Sequence, residues 1–139
     1  MAARSFRVRL DPSGTTFHVA ADESVLNAAL RQGVLLKYGC RHGNCTTCKH
    51  FLIDGEVDFG NASPYSLPER EREEGWALLC CAQPLSDLVI QEPAAVADDR
   101  LRPVIPPAER VARVRAVEPL TRSLWRLQLE LDDSLEFYA

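Results

Sequence analysis

GCRHGNCTTCK, residues 39–49, holds three of the chain's five cysteines, and what those thiols do decides what the rest of the chain has to build. Four residues separate Cys40 from Cys45 and two separate Cys45 from Cys48. After thirty-one more comes Cys80, with Cys81 beside it. An odd number of cysteines cannot pair off completely, and disulfide frameworks belong to secreted domains. The opening MAARSFRVRLDPSG lacks the apolar core of a secretory signal, and no apolar run approaches the ~20 residues of a spanning helix. A cytoplasmic protein is therefore expected, with thiols that bind metal or react rather than crosslink.

The C-x4-C-x2-C spacing with a distant fourth cysteine is the ligand pattern of a plant-type [2Fe-2S] cluster. Two irons bridged by two sulfides need four thiolates. A tight loop presents three of them only if its backbone folds around the cluster, so the fourth must come from elsewhere in the fold. Gly39, Gly43, Thr46 and Thr47 are small or conformationally permissive and let backbone N–H groups turn toward sulfur. With this ligand set the reduction potential is expected at about −400 mV, which makes the chain a one-electron donor. Cys80 and Cys81 compete for the fourth position. If both lie on a strand, their side chains point to opposite faces and only one can reach the cluster.

Outward from the loop, Phe6, Val8 and Leu10 alternate before a Pro-Ser-Gly turn at 12–14, and Phe17 and Val19 alternate after it, which predicts a β-hairpin. Asp22 then caps a helix with the apolar face Val25, Leu26, Ala29 and Leu30, ending at Gly33. A strand is expected over His50 to Val57, with a turn at Asp54-Gly55. Pro68 opens a short charged helix that Gly75 stops. Strands follow at Trp76 to Cys80 and at Leu88 to Ile90. The order ββα, cysteine loop, β, short helix, ββ describes a small mixed α+β sheet with one helix across it.

From Pro93 the texture becomes that of a linker. Val111, Val114 and Val117, then Trp125, Leu127, Leu129 and Leu131, read as two further strands, and such a pair is too small for a core of its own. The ending Phe137-Tyr138-Ala139 reads as a cut inside a second domain. A hydrophobic share of 46% and a charged share of 26% suit a globular protein. The net charge of −4, without a basic stripe, argues against nucleic acid and anionic membranes as partners.

GCRHGNCTTCK together with EGWALLCCAQPLSDLVIQ, residues 74–91, resembles the ferredoxin domain at the front of NADH-dependent reductases of bacterial multicomponent monooxygenases, the soluble methane, propane and phenol group. GEVDFGNASPYSLPERER shares the likeness, which spans about residues 5 to 92. The resemblance implies a β-grasp, [2Fe-2S] ferredoxin-like domain over 1–92, a linker over 93–108, and the truncated start of an FAD-binding β-barrel over 109–139. In that family the fourth ligand stands four residues before a proline. Counting back from Pro84 selects Cys80, so the implied ligands are Cys40, Cys45, Cys48 and Cys80. In the full-length parent, NADH reduces FAD and the cluster hands single electrons to a di-iron hydroxylase. The family's R-x-Y-S flavin motif and its NADH domain are not in these 139 residues, so neither FAD nor NADH is expected to bind this chain, and only the parent would be an enzyme. The competing expectation is a zinc-stabilised β-grasp binding module without redox activity. Four cysteines including C-x-x-C also satisfy tetrahedral zinc, although zinc ribbons use two such knuckles and the second is missing here.

Around the loop, Arg41 and Lys49 are candidates to offset the cluster's negative charge, and His42 to tune it. His18 and His50 show no pattern. The acidic run Glu69, Glu71, Glu73 and Glu74, with Glu56 and Asp58, is a candidate docking surface that Arg70 and Arg72 dilute. Trp76 reads as core.

Overall fold

The computed structural model of the protein describes residues 4–92 and 110–132. The expected linker and the ending at 137–139 lie outside the described residues. The chain divides into two units, Met1–Pro106 and Pro107–Ala139, and each is considered by itself.

In the first unit the hairpin forms as anticipated. Strands β1 (Ser5–Asp11) and β2 (Thr16–Ala20) pair antiparallel and bury alternate residues, Phe6, Val8 and Leu10 against Phe17 and Val19. Helix α1 (Val25–Arg31) follows. Its N-cap is Ser24, not Asp22: the Ser24 hydroxyl accepts the Asn27 N–H at 3.3 Å. Gly33, at φ 75°, closes the helix in a Schellman motif, with Gly33 N donating to Leu30 O and Val34 N to Ala29 O.

The strand expected over His50 to Val57 is two strands, β3 (Lys49–Asp54) and the two-residue β4 (Val57–Asp58). Helix α2 (Glu69–Glu74) begins after Pro68 and ends at Gly75, φ 99°. Strand β5 (Trp76–Leu78) stops before the cysteine pair, β6 (Gln83–Pro84) pairs with β4, and β7 (Leu88–Gln91) completes the unit. The main sheet runs β2-β1-β7-β3-β5, with β7 parallel to β1 and antiparallel to β3. Val25, Leu26, Ala28, Ala29 and Leu30 of α1 are buried against this sheet with Val8, Leu10, Leu88 and Ile90. Each large side chain so buried contributes about 1.5–3 kcal/mol. This is the α+β, ferredoxin-like β-grasp arrangement that the sequence implied. No helix among the described residues is long and apolar enough to cross a membrane.

In the second unit, β8 (Ala112–Pro119) and β9 (Trp125–Leu131) pair antiparallel around an irregularity between Val114 and Ala116. Val114, Val117, Trp125, Leu127 and Leu129 are all more than half exposed on this ribbon.

Candidate metal centre

Two features of the loop after α1 aim its backbone at sulfur. Arg41 takes φ 60° and Gly43 φ 83°, and these left-handed residues fold the chain back on Cys40. Its Sγ accepts the N–H groups of His42 at 3.5 Å and Asn44 at 3.4 Å. Cys45 Sγ accepts the Cys40 N–H at 3.5 Å and lies 3.5 Å from Thr47 Oγ1. An arginine gains little from a left-handed backbone, and its guanidinium is held there from outside, 2.8 Å from Asn27 Oδ1 of α1 and 5.6 Å above the Tyr38 ring. Nothing in the sequence marks Asn27 for this task.

A second loop, 59–67, braces the first. Ser63 N donates to Gly43 O at 2.9 Å and Ser66 Oγ to Asn44 O at 2.6 Å. That loop is itself clamped by Arg72 of α2, which donates to Leu67 O and Ala62 O and lies over the Phe59 ring. The remaining α2 charges are partly spent within the fold. Lys49 pairs with Glu71, and Arg70 with Glu74. Lys49 is therefore committed to a carboxylate rather than free beside the thiols, and Glu71 and Glu74 of the diluted acidic run are each paired with a cation.

Cys48 is almost wholly buried, and its carbonyl accepts the Leu79 N–H at 3.1 Å. The expected strand from Trp76 to Cys80 ends early, so the opposite-face argument for choosing between Cys80 and Cys81 does not apply. Residues 79–81 form a turn in which the two sulfurs stand 3.6 Å apart. The turn is tied to the start of α1, whose Val25 and Leu26 N–H groups donate to Ala82 O and Leu79 O, each at 2.9 Å. Those N–H groups are free because a helix's first turn has no internal acceptors for them. The same helix thus supports both the loop, through Asn27, and the turn that carries Cys80 and Cys81.

The thiols differ electrostatically. The His42 and Asn44 N–H groups bring the Cys40 thiol down to about 6, and the Cys40 N–H lowers Cys45. Burial pushes Cys48 up to about 12 and also raises Cys80 and Cys81, and Cys48 interacts with Cys80. Interactions also run between the loop and the turn, since Cys45 acts on Cys48 and Cys40 on Cys81. Among the described residues no three His, Cys, Asp or Glu side chains are placed to hold a single metal ion. Thiols supplied by one tight loop and one distant turn match the donor pattern of a [2Fe-2S] cluster.

The electrostatics predict an order of alkylation in metal-stripped protein. The thiolate is the nucleophile, so Cys40 should react with iodoacetamide first, at a rate that rises with pH through about 6, while Cys48 stays inert at neutral pH. The sign for stability follows. A thiol lowered by folding stabilises the metal-free fold above the ordinary thiol range and loses that contribution as pH falls through about 6. Peptide mapping after timed labelling checks the order, and equal rates at Cys40 and Cys48 would contradict it.

His50, which the sequence left without a role, is buried beside the site. Its Nδ1 lies 3.1 Å from Cys48 O, its Nε2 has no hydrogen-bond partner among the described residues, and burial lowers its pKa. The Nδ1–H tautomer, donating to that carbonyl, fits this environment. Trp76 is half-buried, edge-on to Phe51 with ring centroids 5.5 Å apart.

Comparison with known proteins identifies the family. The family described as "2Fe-2S iron-sulfur cluster binding domain" matches residues 8–85. The "Phenol hydroxylase P5 protein" of Acinetobacter pittii is 40% identical over 135 residues, which cover 97% of this chain and 38% of that protein. The reductase component of propane 2-monooxygenase from Mycolicibacterium smegmatis is 38% identical over 128 residues, covering 92% and 36%. Among solved structures, the Amycolatopsis cytochrome P450 reductase GcoB is similar with a TM-score of 0.77 and 31% identity, covering 95% of this chain and 38% of that one. The chain thus spans well under half the length of the relatives it matches.

Proposed function

The chain belongs to the family of 2Fe-2S iron-sulfur cluster binding domains, and from that membership we propose that Cys40, Cys45, Cys48 and Cys80 hold one [2Fe-2S] cluster and that the chain passes electrons singly to a protein partner. When bound, such a cluster accepts and releases one electron. What the protein adds is local. The N–H groups of Cys40, His42 and Asn44 point at sulfur and favour its added negative charge on reduction. Burial of Cys48 keeps water from that side. The backbone N–H groups aimed at the sulfurs of Cys40 and Cys45 are the observation that carries the reading. The zinc-stabilised binding module has no support among the relatives.

The relatives' names extend the proposal to a parent protein. Its domains would be a ferredoxin domain at 1–92, a linker at 93–108, and from 109 to 139 the first strands of an FAD-binding barrel. In that parent, NADH would reduce FAD, and the ferredoxin domain would deliver the electrons one by one to a di-iron hydroxylase, making the whole an NADH-dependent oxidoreductase.

Visible absorption and low-temperature EPR, before and after dithionite, test the core of this. A red-brown protein that bleaches and gains a spin-one-half signal near one electron per chain is expected. Anaerobic protein that stays colourless, resists reconstitution with iron and sulfide, and contains zinc would overturn it.

A further inference from the structure

The chain has one thiol more than a [2Fe-2S] cluster uses, and the surplus thiol is not packed away from the site. Cys81 is 8% exposed. Its sulfur stands 3.6 Å from that of Cys80 and rests on the backbone of the cysteine loop, so close to Gly43 that a Cβ there would lie 2.7 Å from it. Gly60 clears the other side, since its added Cβ would lie 2.8 Å from the Cys81 carbonyl oxygen. A cysteine serving only as a small apolar residue has no need to face the loop that carries the other thiols. Cys81 instead joins Cys48 in the smaller buried cluster, with Ala62, Leu67 and Leu78. A strand would have sent the two adjacent side chains apart, whereas the turn at 79–81 keeps their sulfurs in contact.

We propose that Cys81 is a reserve ligand for the cluster, able to take over from Cys80, whose sulfur it already touches. The exchange is a ligand substitution. Cys80 releases its bond to iron and takes up a proton, Cys81 gives up its thiol proton and forms the new bond through sulfur, and no electron is gained or lost. Iron keeps a soft thiolate throughout, which suits it better than water or a hydroxyl. The inference rests on the ligand set proposed above and adds to it a second state of the same site.

The test compares native protein with Cys80→Ala, Cys81→Ala, Cys80→Ala/Cys81→Ala and Cys45→Ala, each reconstituted anaerobically with iron and sulfide. Iron and sulfide per chain and the EPR of the dithionite-reduced protein are measured. Cys80→Ala should retain roughly half or more of the native iron, with a spin-one-half signal displaced from the native g values. The double variant and Cys45→Ala should fall at least about tenfold. Iron in Cys80→Ala no higher than in the double variant overturns the reserve role and leaves the ligand set standing, because the native protein is loaded. A native protein that assembles no cluster overturns both. Loss of the cluster in Cys81→Ala, with a native spectrum in Cys80→Ala, makes Cys81 the resident ligand and also overturns both. If circular dichroism shows Cys80→Ala to be unfolded, Cys81→Ser decides. Its cluster should be lost to an iron chelator at least about threefold faster than the native one, and equal rates overturn the proposal.

Discussion

Cys45→Ala should leave a folded chain with less than about a tenth of its iron and visible absorption, since losing an outer-shell partner alone weakens metal binding about 10- to 100-fold and losing a ligand weakens it more. Cys45 is chosen because fold and cluster separate there. Its side chain is only half-buried and belongs to neither buried cluster, so truncation leaves no core cavity. Its sulfur has the Cys40 N–H and the Thr47 hydroxyl at 3.5 Å, and a hydroxyl is a poor substitute for thiolate toward iron. The same change at Cys48 would confuse two effects, because that residue is 1% exposed and packs with Ala62, Leu67 and Leu78. Iron content and EPR read the cluster, and circular dichroism reads the fold. A Cys45→Ala protein with full iron and native g values would remove Cys45 from the ligand set. An unfolded one would mean that this loop depends on metal for its structure.

What could be read in the sequence was local. The alternation Phe6, Val8, Leu10 and the apolar face of α1 survive in the structure because a period of two or of 3.6 already states which side is buried. Pro68 and Gly75 mark α2 for equally local reasons. The misreadings share one cause. Asp22 satisfies the cap rule as well as Ser24 does, but the first-turn N–H groups of α1 are also claimed by Leu79 and Ala82, contacts more than fifty residues away in sequence. That docking needs the chain to bend at residues 79–81, where apolar content alone suggests that the strand continues. The two-residue strands β4 and β6 are too short to carry any period. At the site, cysteine spacing was legible because the family's cluster-binding pattern constrains it. Asn27, Ser63, Ser66 and Arg72 were not, because polar residues that brace a loop look like any other surface residue until the loop is in place.

Gly55→Ala is the substitution expected to cost the fold most. Gly55 stands between β3 and β4 at φ 98°, where an L side chain is strained by about 1–3 kcal/mol. The larger obstacle is space. An added Cβ would lie 2.2 Å from Asp87 O, 2.8 Å from Leu88 Cδ2 and 3.0 Å from Ser86 Oγ, and the nearest of these is backbone that cannot swing aside. Residues 86–88 are already fixed by other bonds. Ser86 Oγ accepts the Glu56 N–H at 2.8 Å, and Asp87 Oδ1 accepts the Arg7 N–H at 2.9 Å. Leu88 then opens β7, the strand that joins β1 to β3 and so holds the two halves of the sheet together. Relief of the clash must therefore displace the strand on which the sheet depends. The expected loss is about 3–5 kcal/mol, at the upper end of single-residue effects, which lowers Tm by well over about 10 °C in a domain of this size. Gly14→Ala is the matched control. Its φ of 74° carries a similar left-handed strain, yet nothing lies within 4 Å of the added Cβ, so it should cost only about 1–2 kcal/mol. Urea denaturation of the two variants separates conformation from clearance. Equal losses at Gly14 and Gly55 would show that the 86–88 turn yields freely and that β7 is not the rigid centre of this sheet.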